Sequence, residues 1–553
     1  MRKLIAICVI CVIFVFCATV NSDSSAATKE RAETNRDKLS LEEIRQLRKK
    51  AAYRKRRVIF PYVGIAAESK MMGEDRFLPT EQVKSPFTVG TQVNSYHYDM
   101  VRNWNCCIGY RSTVGQVITK TGGGVVNRDI ETYYGDGPDG LDLYIDFCRK
   151  TNAEAFWGMR MNDSHDADDR PACRRMFEAN KFKTSHPDFL VGTRESNPLN
   201  GRWSSVDYAH AEVREQVFRL SEEICRNYDV DGLTLDFFRH LTFFKSTAFG
   251  GEASAEEVAI MTELLRRIRK MADENGARRG RPILLVVRTP DSFRYCKALG
   301  LDIEQWMKEG LIDAWIASGY FRVQEWRETV EMASKHDVPI WASLDESRIK
   351  SRKKRSSAEV YRARAMNALR AGVDSIFLFN YVWNDAEHVQ LLNQIGDIKT
   401  LEHTNKIYYA DPRGRQLGSR WLEKGERFFT YQRLFSPENP SILKQNRSQK
   451  VSLLIGDDVS SAKAHGFSVK LTLAVQIKGL TRNCDILVKL NDTLLTDYVS
   501  EGNESDQWLH YKVSPEVVQL GNNGVEFSLA KACEAGPRLF DMNLEISYEP
   551  IKQ

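Results

Sequence analysis

Carboxylates and arginines stand where several apolar runs of this chain end. The stretch VDGLTLDFFRH, residues 230–240, places Asp236 inside a short apolar run, and Arg239 and His240 follow at once. An unpaired buried carboxylate costs several kcal/mol or takes up a proton instead. We therefore expect Asp236 to face a polar site rather than a packed core.

Similar groups follow the neighbouring apolar runs, so the ends of these runs define a polar set. The set comprises His97, Arg160, Asn162, Asp163, His165, Asp236, Arg239, Arg288, Tyr320, Asp345, Glu346, Arg348, Asn380 and Trp383, with Asp99, Asp166 and His240 beside them. A single such residue is explained by a helix cap or a loop ion pair. The set as a whole has no use in packing and predicts a binding or catalytic site.

A pair of carboxylates across one site suits the cleavage of a glycosidic bond. One carboxyl group protonates the leaving oxygen, while the other attacks the sugar or activates water. Asp236 is one predicted catalytic group, and the adjacent Asp345 and Glu346 supply the other. The remaining members of the polar set are predicted to bind the substrate, a polysaccharide or an oligosaccharide.

Four aromatic side chains could stack against a sugar ring. Trp315 and Trp341 lie within apolar runs, so core packing is favoured for both. Tyr320 and Trp383 follow such runs, and Trp383 is the favoured stacking face.

A metal site is the first alternative chemistry. His165 with Asp163 or Asp166, joined by His97 and Asp236, would supply ligands for a metal-dependent hydrolase. The spacing is not specific, because the chain carries neither HxH on the first strand nor HExxH. We therefore expect no metal and no other cofactor. A barrel that binds carbohydrate without cleaving it is the second alternative.

The arginines of the polar set admit two explanations. Arg160, Arg239, Arg288 and Arg348 could bind an acidic substrate, because guanidinium groups match the oxygens of carboxylate and sulfate. They could equally pair with the neighbouring carboxylates of the set and orient them. The sequence leaves both explanations open.

The elements that must position these groups alternate regularly. Strand-like apolar runs occur at 58–63, 93–98, 155–161, 232–237, 283–288, 314–318, 339–344 and 375–379, and helical patterns precede most of the later ones. Nearly continuous apolar strands are typical of a parallel sheet that is covered on both faces. The alternation predicts an α/β fold, a (β/α)8 TIM barrel over 58–395 with the polar set at its C-terminal face. A doubly wound sheet is the alternative, but no glycine-rich phosphate turn follows any strand.

The pattern changes in the last part of the chain. After residue 418, segments such as SVKLTLAVQI and GVEFSLA alternate apolar and polar residues between turns. This alternation predicts an antiparallel β-sandwich of the jelly-roll type over 419–553, joined to the barrel by a linker at 396–418. Cys484 and Cys533 are predicted to pair within it, whereas buried free thiols are equally compatible with the other cysteines.

The N-terminus has the three parts of a secretory signal: MRK, an apolar run and polar NSDSSAA. We expect a signal peptide at 1–22, a secreted or periplasmic protein, and no stable membrane insertion after cleavage. An uncleaved anchor is the alternative, because the apolar run approaches spanning length. The charged stretch 23–57 is predicted to be an exposed leader or a helix lying on the barrel. Over 553 residues, 79 basic and 74 acidic side chains are too balanced to indicate a nucleic-acid partner.

The sequence resembles a family of bacterial TIM-barrel proteins described as glycosylhydrolase-like, or family 10-like. The matching residues in SSVDYAHAEVREQV and NYDVDGLTLDFFRH are Glu212, Val213, Arg214, Tyr228, Asp231, Gly232, Asp236 and Arg239. MRMNDSHD, SGYF, SLDESR and FLFNY are similar to the other strand-end motifs of that family. The resemblance covers roughly 58–394 and implies a barrel that acts on a glycan, with Asp236 as the leading carboxylate and an acid after the seventh strand as its partner. The better known retaining barrels carry Asn-Glu where this chain has Leu235 and Asp236, which leaves the role of Asp236 open between acid, nucleophile and binder.

Overall fold

Eight parallel strands close into a barrel in the computed structural model, which describes residues 39–62, 88–118, 136–345, 356–381, 386–410, 418–430, 440–481, 484–503, 505–531 and 536–551. The first ten strands of the chain are β1 (Val58–Tyr62), β2 (Val93–Arg102), β3 (Cys106–Ile108), β4 (Gln116–Ile118), β5 (Glu154–Arg160), β6 (Gly232–Asp236), β7 (Leu284–Thr289), β8 (Ala314–Ala317), β9 (Ile340–Asp345) and β10 (Ser375–Phe379). The sheet order is β1-β10-β9-β8-β7-β6-β5-β2-β3-β4, and β1 also pairs with β2 and so completes the ring. The predicted TIM barrel and its eight strands are confirmed.

The barrel strands form because apolar residues occupy both of their faces. Every residue of β5, β6, β7, β8, β9 and β10 is buried. One face of each strand packs in the barrel interior and the other packs under helices, as in any all-parallel sheet. Trp315 and Trp341 lie in this core, at 0% and 1% exposure, which confirms the prediction that both are packing residues.

Helices surround the barrel and fill its loops. They are α1 (Leu41–Ala52), α2 (Gly140–Lys150), α3 (Pro171–Ala179), α4 (Lys181–Ser185), α5 (Ala211–Asn227), α6 (Lys245–Ala248), α7 (Ala255–Arg279), α8 (Phe293–Ala298), α9 (Ile303–Lys308), α10 (Trp326–Ser334), α11 (Ala358–Arg370), α12 (Ala386–Leu391), α13 (Ile398–Leu401) and α14 (Gly418–Trp421). Short 3₁₀ segments occur at His165–Ala167, Pro187–Phe189, Gly425–Phe428, Val459–His465 and Pro515–Val517. Within these described ranges, no helix has the length and apolar content needed to cross a bilayer.

Helix α1 belongs to the stretch that the sequence predicts as a leader or a docked helix, and it is docked. Ser40 and Glu43 form a capping box at its start. On its inner face, Arg48 lies 2.9 Å from a carboxylate oxygen of Asp273 and 2.8 Å from one of Asp313. Its charge is therefore matched in a buried network, and α1 is fixed to the outside of the barrel.

Two antiparallel sheets form the C-terminal part of the chain. Their strands are β11 (Lys406–Tyr409), β12 (Ser441–Ile442), β13 (Gln449–Ile455), β14 (Phe467–Lys478), β15 (Ile486–Leu490), β16 (Thr493–Leu495), β17 (Tyr498–Asn503), β18 (Asp506–Val513), β19 (Gly521–Leu529) and β20 (Arg538–Pro550). One sheet has the order β11-β20-β14-β18-β17 with β12 on β20, and the other has the order β13-β19-β15-β16. Their inward residues form one apolar core, which confirms the predicted β-sandwich.

The region between barrel and sandwich is more structured than a linker. Strand β11 lies inside the predicted linker and pairs with β20, because Lys406 and Tyr408 point into the sandwich, where Lys406 pairs with Asp457 at 3.1 Å. Residues 418–430 lie against barrel loops, and Trp421 packs on His240 with ring centroids 5.4 Å apart. A four-residue strand is too short for its alternation to be recognised in the sequence.

Several sequence predictions fall partly or wholly outside the described residues. The predicted signal peptide at 1–22 is one of them. Cys484 is disulfide-bonded, whereas Cys533, its predicted partner, lies outside the described residues. Six other cysteines are buried free thiols: Cys106, Cys107, Cys148, Cys173, Cys225 and Cys296.

Replacing Arg48 tests how strongly α1 is held. The Arg48→Ala protein should lose about 3 kcal/mol of unfolding free energy, because two buried carboxylates lose one of their cations. Urea denaturation followed by tryptophan fluorescence measures this loss. Arg45→Ala is the matched control, because Arg45 is exposed on the same helix and its ion pair with Glu42 should contribute less than about 1 kcal/mol. Equal midpoints for the two variants would contradict the proposed importance of the buried network.

Candidate functional site

Asp236 lies at the C-terminal end of β6, between two arginines. The strand register places Arg160 of β5, Asp236 of β6 and Arg288 of β7 in one row. Arg288 donates from Nε and Nη2 to the two carboxylate oxygens of Asp236, both at 2.9 Å, and the backbone N–H of Phe238 donates to Oδ1 at 2.9 Å. Such two-pronged pairing is the geometry in which a guanidinium group best holds a charged carboxylate. Asp236 therefore faces Arg288, at the mouth of the barrel.

Aromatic residues enclose this ion pair. The guanidinium carbon of Arg288 lies 3.6 Å from the ring centroid of Phe379 and 5.7 Å from that of Phe238. Arg288 and Asp236 are 1% and 3% exposed. Low dielectric strengthens the attraction between them, and neither charge could stay buried without the other.

Arg160 joins two further carboxylates. Its Nε donates to Asp99 at 3.1 Å, and its Nη1 donates to Asp163 at 3.0 Å. Burial raises the pKa of Asp99, a change that Arg160 opposes and Asp236 reinforces. The carboxyl group of Asp99 rests above Gly158, where a Cβ atom would lie 2.7 Å from Oδ1. Only glycine at position 158 leaves room for this arrangement.

Asp163 orients a pair of histidines. Its Oδ1 accepts hydrogen bonds from Nδ1 and the backbone N–H of His165, and it lies 3.8 Å from Nδ1 of His240. Burial acts to raise the pKa of Asp163, but His165 and Arg160 outweigh it and hold that pKa well below its usual range. Burial lowers the pKa of His165 to about 4, so His165 is neutral near pH 7. The Nε2 atom of neutral His165 accepts a hydrogen bond from Arg239.

Asp163, His165 and His240 also form a group that could hold a metal ion, with ligand atoms within 4.8 Å of one another. Their hydrogen bonds compete with this use. Nδ1 of His240 accepts the N–H of Ser164 at 2.9 Å, and both ring nitrogens of His165 are engaged with Asp163 and Arg239. The three residues therefore fit a metal poorly as they stand, because a metal would have to displace these bonds.

The ligand set predicted from sequence is not the one that the fold assembles. Asp166 is instead held by Lys183 at 2.9 Å in a fully buried ion pair, and Asp236 is held by Arg288. His97 lies elsewhere, inside the barrel. His240, to which the sequence assigned no role, lies beside Asp163 and His165 where His97 was expected.

Two predicted substrate-binding residues, His97 and Asn162, are almost fully buried and bonded within the fold. Strand β2 continues to Arg102, so His97 lies within the barrel, stacked on Phe156 at 4.2 Å and bonded to Thr234 at 2.6 Å. The amide of Asn162 is fully used by the backbone of Val206 and Thr242. The Asn162 amide and Nδ1 of His97 thus serve the fold, whereas Nε2 of His97 is buried without a hydrogen-bond partner among the described residues.

Asp345 and Asn380 face each other at the ends of β9 and β10. The amide of Asn380 donates to Oδ1 of Asp345 at 3.4 Å, and Asn380 adopts a left-handed backbone conformation with φ 51°. Asparagine tolerates this conformation better than most residues. Asp345 is 3% exposed. Glu346, Arg348 and Trp383 lie outside the described residues, so their predicted roles stay predictions.

Tyr320 and Arg239 complete the described part of the mouth. The guanidinium carbon of Arg239 lies 5.3 Å from the ring centroid of Tyr320, and Tyr320 packs on Phe379 and Phe238. Asp99 and His240 are the two groups here to which sequence reasoning gave no role. The sequence placed both beside predicted strand ends, but only their contacts with Arg160 and Asp163 in the fold indicate what they do.

No family model matches this chain, and no curated protein matches it, so the family 10-like resemblance stays a prediction. Solved structures similar to it include a GH36 alpha-galactosidase AgaA from Geobacillus stearothermophilus (11% identity, covering 92% of this chain and 59% of that one, TM-score 0.35). They also include a cycloisomaltooligosaccharide glucanotransferase from Paenibacillus sp. (7% identity, 89% and 57%, TM-score 0.33). A maltogenic alpha-amylase AmyB from Thermotoga neapolitana is a third (11% identity, 86% and 100%, TM-score 0.33). This chain spans less than two thirds of the length of the first two proteins.

Buried histidines should make the protein sensitive to acid. Burial lowers the pKa of His97 and His240 well below 6.5 and that of His165 to about 4. Below pH 6.5 these histidines take up protons in the unfolded chain but stay neutral in the folded protein. The free energy of unfolding therefore decreases as the pH falls. Each such histidine costs about 1.4 kcal/mol of unfolding free energy per pH unit.

His97→Phe tests this expectation without opening a cavity. Between pH 6.5 and 5 the variant should lose about 1.4 kcal/mol less per pH unit than the wild type, measured from urea midpoints. His186→Gln is the control, because His186 is exposed. Parallel pH profiles for the wild type and His97→Phe would show that His97 does not contribute to acid sensitivity.

Proposed function

We propose that this protein is a glycoside hydrolase whose site is the C-terminal mouth of the barrel. The observation that carries the proposal is the charged, two-pronged pairing of Asp236 with Arg288 at the end of β6, beside other carboxylates of the mouth. A carboxylate held in its charged form suits a nucleophile, a base or a stabiliser of positive charge at the sugar carbon. Asp236 takes that role here.

The second catalytic group must hold a proton. Asp345 with Glu346 is the sequence-based choice, and β9 lies three strands from β6 in the ring. Asp99 is a further choice that the geometry adds, because burial raises its pKa while the pKa of Asp163 is lowered. Carboxyl groups whose environments move their pKa values apart are the usual basis of an acid and base division. The substrate is a polysaccharide or an oligosaccharide.

The neutral variant Asp236→Asn tests the proposal. We expect the turnover number to fall by at least about 10²–10³-fold, because the charged group is lost from the reacting centre while shape is kept. The measurement is release of reducing ends from a panel of neutral and acidic polysaccharides. Circular dichroism checks folding, since Arg288 loses its partner in the variant.

Asp146→Asn is the matched control, because Asp146 is exposed on α2, where it pairs with Lys150 one turn along the helix. Turnover by Asp236→Asn equal to that of Asp146→Asn would remove Asp236 from the chemistry. Binding of a polysaccharide by both proteins, without cleavage by the wild type, would instead favour a carbohydrate-binding barrel that has no catalytic role.

A metal-dependent hydrolase is the second candidate function, favoured by the group of Asp163, His165 and His240. If the hydrogen bonds described above persist in solution, dialysis against a chelator should leave activity within about twofold of its starting value. Elemental analysis of the same samples should find less than one metal per chain. Loss of activity that Zn²⁺ restores would overturn the carboxylate mechanism and identify these residues as ligands.

Export is part of the same proposal. The apolar run between MRK and NSDSSAA supports a cleaved signal and a secreted or periplasmic protein. A polysaccharide too large to enter a cell is accessible only to such a protein.

A further inference from the structure

Arg239 differs from the other described arginines of the barrel mouth. Arg160 and Arg288 are each ion-paired with carboxylates at 3.0–3.1 Å and 2.9 Å. In the part of the chain that the structure describes, no carboxylate lies within ion-pair distance of Arg239. Its single hydrogen bond is donated by Nη2 to the neutral ring of His165. Among the described residues, Arg239 therefore has no directly paired carboxylate, although the charges of Asp163 and Asp236 lie near enough to act on it.

The environment makes this unmatched charge costly. Burial, and then the nearby charge of Arg160, lower the pKa of Arg239 to about 9. Its Nε is buried and has no hydrogen-bond acceptor. Such a donor loses its water without gaining a partner. The Arg239 side chain as a whole is only half-buried. An anion that reached its guanidinium group would supply both a hydrogen-bond acceptor and a compensating charge.

The position of Arg239 would direct such an anion towards the proposed reacting centre. Arg239 follows Asp236 by three residues along the chain. Tyr320 covers one face of its guanidinium group at 5.3 Å, and His165 holds one edge. The group is therefore fixed in orientation before any ligand arrives, which reduces the entropy lost on binding.

We propose that Arg239 binds the anionic group of an acidic sugar, a carboxylate or a sulfate ester, and thereby sets a preference for acidic glycans. The inference rests on the proposed glycoside hydrolase only for the nature of the polymer. It decides between the two explanations that the sequence left open for the arginines: Arg160 and Arg288 orient carboxylates, and Arg239 recognises substrate.

Binding, measured without reference to turnover, tests the inference. The migration of the full chain is measured in native gels that each contain one polymer. One pair of gels contains polygalacturonate and its uncharged methyl ester, and the other contains dextran sulfate and dextran. Each pair differs in charge and not in backbone, and the two acidic members separate carboxylate from sulfate. We expect one acidic polymer to bind at least tenfold more tightly than its neutral counterpart, because guanidinium–anion hydrogen bonds are charge-assisted.

Two substitutions separate anion binding from the positioning of His165. Arg239→Gln keeps an N–H donor for His165 and loses the charge, so binding of the acidic polymer should weaken at least tenfold. Arg239→Lys keeps the charge without the planar fork and should lie between Gln and wild type. Arg294→Gln is the control for general attraction to the basic chain, because Arg294 is an exposed arginine on α8. It should bind like the wild type.

Equal binding of acidic and neutral polymers by the wild type would overturn the inference, as would Arg239→Gln binding as tightly as Arg294→Gln. If Arg239→Lys bound the acidic polymer as weakly as Arg239→Gln, the inference would also be overturned, because the positive charge would then contribute nothing to binding. Charge-dependent binding without cleavage by the wild type would leave the inference standing and reject the hydrolase. Equal cleavage of acidic and neutral polymers by the wild type and by Arg239→Gln would instead support the hydrolase and overturn the inference.

Discussion

The ion pair between Asp236 and Arg288 is the interaction on which the mouth of the barrel depends. Both groups are almost fully buried, and a charge in such a place is tolerated only when its partner is present and correctly oriented. The parallel register aligns the ends of β5, β6 and β7, so that a polar residue at one strand end contacts polar residues at the next. The barrel thus brings together residues that are far apart in the sequence: Arg160 and Arg288 come from strands separated by more than a hundred residues.

Much of this arrangement could be predicted from sequence. Apolar runs of strand length recur with helical segments between them, which is sufficient to predict the barrel and to place Asp236, Arg288 and Asp345 at one face. The same reasoning misplaced His97, because the end of β2 lies beyond the apolar run that signals it. It also predicted that Asn162 binds the substrate, whereas the Asn162 amide hydrogen-bonds the loops after β5 and β6 and so joins them.

The remaining features depend on contacts that no local pattern encodes. Whether an arginine binds a ligand or a neighbouring carboxylate is decided by distances across strands. His240 joins Asp163 because Ser164, just after the end of β5, donates its backbone N–H to the ring of His240, just after the end of β6. Trp421, far along the chain, then closes on the other side of that histidine. Residue types give a list of chemical groups, and packing decides which of them meet.

Ion pairing alone does not identify the functional end of the barrel. Strand β6 follows a half-buried acid and ends in a buried one: Asp231 before its first residue is bound by Arg149 at 2.6 Å and Arg281 at 2.8 Å. The adjacent Gly232 packs against Phe156, where a Cβ atom would lie 2.3 Å from the ring. At that end the charges have partners, and the motif serves stability. Just past the other end of the same strand, no carboxylate among the described residues pairs directly with the half-buried Arg239. An unpaired cation in such a place costs stability, so the difference between these two ends is the physical argument for the proposed anion site.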